Sequence, residues 1–171
     1  MIEAYDPNWP ARYQEAASEL VAASGGRWLV EHIGSTAVEG LAAKPVIDLA
    51  VRVDRVDDVL VLMPALEALG WQDVGAGPRT HLVLVKRCDH VRTHIAHFFE
   101  AHQWETCNQR LFRDWLRAHP DDRVRYERVK RAAAAETAGR DYTARKTEIV
   151  QEIVDRARTA LGLPLVDVWD K

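Results

Sequence analysis

Three features of this 171-residue sequence predict an α/β (α+β) fold, with a mixed β-sheet flanked by helices and a C-terminal helical segment. Up to about residue 101, apolar residues at helical spacing alternate with short β-branched runs, the pattern of strands joined by crossover helices. Two late strands meet at Cys88-Asp89-His90-Val91, which reads as a hairpin turn and makes the sheet mixed. From about 102 to about 162 only helical periodicity remains. A chain of this length, 47% hydrophobic, can bury one full core, and nothing divides it, so residues 1–171 are expected to form a single domain.

The first helix is predicted from Asn8 to about Ser24, where Trp9, Tyr13, Ala16, Ala17, Leu20 and Val21 recur at three- and four-residue steps. Asp6 or Asn8 caps it and Gly25-Gly26 ends it. Trp28 to Ile33 is a strand carrying Glu31 and His32. A Gly-Ser turn opens a short helix, Lys44-Pro45 breaks it, and Val46 to Val53 is a strand. The helix from Val56 to Leu69 has Asp57 and Asp58 in its first turn and Pro64 inside, which should kink or split it. Trp71 to Val74 begins another strand before the turn Gly75-Ala76-Gly77-Pro78. His81 to Arg87 and Arg92 to Phe99 form the hairpin. Helices then run from about Trp104 to Ala118, from Asp121 to about Thr137, and from about Tyr142 to Leu161. The tail from Leu163 to Lys171 is expected to strap the surface through Trp169.

The stretch from Ile33 to Val51 carries the chemistry. Gly34 permits a tight turn and close ligand approach, and Ser35 and Thr36 place hydroxyls at the start of a helix, where the positive dipole end favours an anion. Along the next strand, Val46, Asp48, Ala50 and Arg52 share one face, while Ile47, Leu49, Val51 and Val53 share the other and form core. Asp48 is therefore expected to face the turn across a hollow and to hold Mg²⁺ against bound phosphates.

A formal charge of −3, without a block of five like charges, gives no reason to expect bulk binding to nucleic acid or to an anionic membrane. With no apolar run of membrane-spanning length and no leader-like amino terminus, a cytoplasmic protein is expected. Cys88 and Cys107 fit neither a zinc pair nor a disulfide framework and read as reduced. His94 and His97, an odd step apart, face opposite ways on a regular strand and cannot share a metal.

The run Ile33-Gly34-Ser35-Thr36-Ala37-Val38, continuing through Gly40-Leu41, Ala43-Lys44-Pro45 and Ile47-Asp48, resembles the GrpB family, which is similar to the nucleotidyltransferase superfamily. Tyr5-Asp6-Pro7-Asn8-Trp9, His97-Phe98-Phe99-Glu100 and Leu111 to Pro120 resemble it too, and the resemblance extends to Tyr142 and Lys146. It implies a nucleotidyltransferase-like sheet. It also implies a site in which Gly34, Ser35, Thr36 and Lys44 hold a triphosphate, with Arg113, Lys130 and Lys146 on anionic oxygens or the acceptor. Asp48, His97 and Glu100 are then the candidate catalytic groups. An active strand of that superfamily carries carboxylates at i and i+2, and here i+2 is Ala50, where the resembled family generally has an apolar residue.

Three functions follow as expectations. One is Mg²⁺-dependent transfer of a nucleotidyl or related group to a small-molecule acceptor, with Glu100 or His97 replacing the missing acid. Another is a nucleotide-binding accessory module without metal chemistry, in keeping with the fusion of GrpB-like domains to a coenzyme A biosynthetic kinase. The third is a ligase or transferase using the same crevice for an acidic acceptor such as an amino acid.

Overall fold

The computed structural model describes residues 2–75, 78–135 and 139–168; of 135 and 139–145 only the backbone is described. Five strands form one mixed sheet in the order β1-β2-β5-β4-β3: β1 (Leu29–Ile33), β2 (Ile47–Val53), β3 (Gln72–Asp73), β4 (Leu82–Cys88) and β5 (Val91–Glu100). β2 runs parallel to β5 and every other pairing is antiparallel. The hairpin closes through Asp89 and His90, both at positive φ, the geometry of a two-residue turn that follows the twist of its strands.

Strand alternation sorts the β2 side chains as predicted. Ile47, Leu49, Val51 and Val53 are buried with Ala96 and Phe98 against α1 (Trp9–Ala23), α2 (Val56–Val61) and α3 (Met63–Ala68). This is the main core, and Trp9 lies fully inside it. Asp6 shapes the start of α1 by accepting from the backbone and side-chain N–H groups of Asn8, neither of which caps the helix directly. Pro64, in the first turn of α3, separates α3 from α2 where the sequence allowed either a kink or a split.

The opposite face of the sheet carries α4 (Asn108–Ala118), α5 (Pro120–Ala135) and α6 (Gly139–Ala160). Trp104–Thr106 is a separate 3₁₀ turn and does not start α4 as the sequence suggested; Pro120, not an Asp121 cap, leads α5. Phe112, Leu116, Tyr126, Ile149, Ile153 and Val154 form a second core, into which Val38 and Leu41 of the loop before β2 insert. The second core thereby ties that loop to the helices. The turn at Ala76-Gly77, Thr137, the Tyr142 side chain and Trp169 lie outside the described residues. Among the described residues no helix is long and apolar enough to cross a membrane.

Four histidines in or beside the sheet resist protonation. Burial lowers His32, His81 and His94 from 6.5 to about 4, and His97 to about 3. Between pH 6.5 and about 4 the unfolded chain binds protons that the native chain refuses, so stability falls as pH falls through that window. Asp48, raised to about 7, works in the opposite sense but supplies only one proton. The midpoint of thermal unfolding should therefore drop steeply from pH 6.5 to 4.5, and a flat profile would contradict the burial of these rings.

Candidate functional site

The site begins at Gly34, which joins β1 to a single 3₁₀ turn, Ser35–Ala37. With φ 71° and ψ −171°, Gly34 occupies a region essentially closed to other residues. The Asp48 carboxylate folds against it: a Cβ added at Gly34 would lie 2.4 Å from Asp48 Oδ2. The turn and the acid thus meet because glycine leaves room between them. One 3₁₀ turn supplies little of the dipole that the sequence reading assigned to a helix here. Positive charge comes instead from side chains.

Those side chains arrive on the C-terminal helices. Lys130 on α5 donates from Nζ to Ser35 Oγ at 2.9 Å and to the Ala42 carbonyl at 3.0 Å. Tyr126, one turn earlier, has its hydroxyl 3.4 Å from Ser35 Oγ and its ring 5.0 Å from Lys130 Nζ. Lys146 on α6 and Lys44 from the Lys-Pro break line the same crevice, of about 540 Å³. Burial pushes the Asp48 carboxyl up to about 7, opposed by Lys146, Lys130 and Arg92. It also brings the Lys130 ammonium down to about 7, helped by Lys146 and Lys44 and opposed by Glu127 and Asp48. Asp48 keeps 26% of its side chain exposed, so the crevice reaches it.

Arg87 and Arg92 also line the crevice, Arg92 escaping the sequence reading altogether. The β4–β5 register shifts between Lys86 and Arg87: Lys86 stands opposite His94, but Arg87 opposite Arg92. Arg87, two residues beyond Val85, which pairs with Ile95, is on the face of Asp48 by plain alternation; the extra residue on β5 reverses the alternation there and brings Arg92 onto the same face. Lys86 stays on the other face, paired with Glu19 and over the Trp71 ring.

Thr36 lines the crevice but its hydroxyl is committed within the turn, and other sequence candidates are placed elsewhere. The Thr36 hydroxyl, 3.3 Å from the Val46 carbonyl and 3.0 Å from His32 Nε2, donates to the first and accepts from the second, so it braces the turn. Arg113 is buried, donating to Glu31, Asp114 and the His32 carbonyl, which ties α4 to β1 and keeps it out of the crevice. Glu100 stands opposite Val53 at the far end of β5, where its carboxylate accepts from the Val56 N–H. Five residues of strand, about 17 Å, separate it from Ile95, the partner of Asp48. His97 does share the Asp48 face, with Nε2 4.0 Å from Oδ1, beyond hydrogen-bond reach; its Nδ1 lies 2.9 Å from His81 Nε2.

The second carboxylate of a nucleotidyltransferase strand has no room here. Ala50 is fully buried with Ile33, Phe99, Trp104 and Cys107, which close the crevice just beyond Asp48. Glu31, beside Ala50 on β1, is neutralised by Arg110 and Arg113. A Mg²⁺ ion prefers near-octahedral oxygen ligation. Among the described residues Asp48 is the one carboxylate lining the crevice, against five lysines and arginines, and no cluster of acids, histidines and cysteines suits a metal. These residues do not fit a resident metal ion. They fit an anion.

The comparisons with known proteins agree with this architecture. The chain is 38% identical over 168 residues to a UPF0157 protein of Pseudomonas aeruginosa, covering 94% of this chain and 69% of that one. It is 35% identical over 162 residues to a dephospho-CoA kinase of Mycolicibacterium paratuberculosis, covering 78% of this chain and 39% of the kinase. The crystal structure of the conserved protein GrpB from Enterococcus faecalis superposes with a TM-score of 0.83 at 29% identity, over 95% of this chain and 99% of that one. The Cid1 poly(U) polymerase with MgGTP bound superposes with a TM-score of 0.54 at 16% identity, over 79% of this chain and 45% of that one. At that identity the match shows a nucleotidyltransferase-like fold. Residues 1–156 match the family described as GrpB protein, and the chain belongs to that family.

Proposed function

We propose that this chain binds a nucleoside triphosphate or a similar phosphorylated ligand by its phosphate tail, without a protein-held metal. The observation that carries this reading is the charge pattern of the crevice: Lys44, Arg87, Arg92, Lys130 and Lys146 surround one carboxylate, Asp48, beside the glycine turn that exposes Ser35. Lysines take phosphate oxygens as point charges, and arginines add paired donors. Ser35 hands its Lys130 hydrogen bond to the ligand when the phosphate enters. The walled position of Ala50 favours a binding module over metal-dependent transfer, and so does the presence of a related segment inside a dephospho-CoA kinase. A nucleoside triphosphate ligand is in keeping with the cytoplasmic location that the sequence leads one to expect.

Titration calorimetry with ATP tests this. Binding without Mg²⁺ should be at least as tight as with it, because the metal would compete with the lysines for the same oxygens. A strict Mg²⁺ requirement would overturn the reading.

A second reading, transfer of an activated group to a small-molecule acceptor, rests on Asp48 itself. A carboxyl titrating near 7 at the edge of a phosphate site suits a general base for an acceptor hydroxyl or amine. Turnover of ATP with a panel of amino acids and alcohols, lost in Asp48→Asn, would favour it over the module.

A further inference from the structure

Lys130 is held in an arrangement that suits an uncharged amine. Its Nζ has two acceptors, Ser35 Oγ and the Ala42 carbonyl, and among the described residues no carboxylate lies within ion-pair distance. A neutral amine has two N–H groups, which these two acceptors match, and one lone pair free for attack, whereas an ammonium carries a third N–H that turns to the crevice; the Tyr126 ring face, 5.0 Å from Nζ, works the other way and favours the charged form. The residue is 5% exposed yet lines the crevice. Every packed element contributes to its charge balance: Lys146 from α6 and Lys44 from the loop disfavour the ammonium, while Asp48 from β2 and Glu127 from α5 itself favour it. Desolvation beside other cations is the environment that makes a lysine nucleophilic at neutral pH.

We propose that Lys130 is a covalent acylation site for small acyl phosphates. The crevice cations seat the phosphate and bring the carbonyl carbon to Nζ. Nitrogen attacks that carbon, and the bond to the phosphate oxygen breaks with its electron pair leaving on the phosphate. The surplus proton on nitrogen goes to solvent, and an amide remains. Acylation removes the positive charge and two of the three N–H groups with which the ammonium would hold a phosphate ligand, so acylation and ligand binding exclude one another. That exclusion, though not the reactivity of the amine, rests on the phosphate reading of the crevice.

The test incubates the full chain with acetyl phosphate at pH 7 and follows each lysine by peptide mass spectrometry, with and without excess pyrophosphate. Half of an amine titrating near 7 is neutral there, against fewer than about one in a thousand for a lysine of ordinary pKa near 10.4. Lys130 should acquire acetyl at least about tenfold faster than Lys86, allowing for the weaker nucleophilicity of a less basic amine. Its rate should level off above about pH 8, and pyrophosphate should slow it. Lys130 left unmodified, or labelled no faster than Lys86, overturns the proposal. Fast labelling that pyrophosphate fails to slow upholds the acylation site and counts against the phosphate reading.

Discussion

Replacing Gly34 with alanine is expected to destabilise the protein by about 2–5 kcal/mol and to abolish anion binding in the crevice. Two costs add. An L side chain at φ 71° is strained by about 1–3 kcal/mol. The new methyl would also lie 2.4 Å from Asp48 Oδ2 and 2.9 Å from its Cβ and Cγ, so β2 or the turn must move. Gly40 provides the control, because it also has positive φ, 78°, but nothing within 4 Å of an added Cβ. Gly40→Ala should show the strain alone and keep its ligand. The double variant Gly34→Ala with Asp48→Ala should recover part of the lost stability, since it removes the carboxylate in the way; the coupling is read from the double-mutant cycle. Equal losses for the two glycine variants in denaturant unfolding would mean that Asp48 is not pressed against the turn.

What the sequence made legible was local. The apposition of Gly34, Ser35 and Asp48 follows from a glycine turn and a period of two, rules that span a few residues and hold along the regular strand β2. The split at Pro64 is equally local. Arg92 was hidden because one unpaired residue in the hairpin inverts which side chains face the crevice, and a bulge leaves no mark in a count of alternating positions. The fate of Arg113 was open because its partner, Glu31, lies 82 positions earlier and meets it only after α4 docks on β1. Glu100 follows His97 closely in sequence, but an extended strand carries its residues about 3.3 Å apart, so closeness in sequence became distance from Asp48. The lysines show the converse. Lys130 and Lys146 come from remote helices, and Val38 and Leu41, by anchoring the loop in the helical core, bring Ser35 within reach of Lys130.

Affinity for ATP is expected to fall by up to about three orders of magnitude between pH 7 and 9. As pH rises through about 7, Lys130 loses its positive charge and Asp48 gains a negative one, so both titrations make the ligand-free crevice less attractive to an anion. A bound phosphate favours the ammonium and disfavours the carboxylate, raising both pKa values. Binding above pH 7 must therefore take up protons, and log Ka should fall with a slope approaching about two per pH unit. The ligand contributes little to that slope, because a terminal phosphate with a second pKa of about 6 is already ionised. Calorimetry in two buffers of different ionisation enthalpy counts the protons directly. Asp48→Asn should raise affinity at pH 9 and reduce uptake to about one proton, whereas Lys130→Met should weaken binding most at pH 6, where the ammonium is otherwise present. The two variants move affinity in opposite directions, which a general loss of structure would not do. An affinity independent of pH from 6.5 to 9 would show that these two groups do not face the ligand.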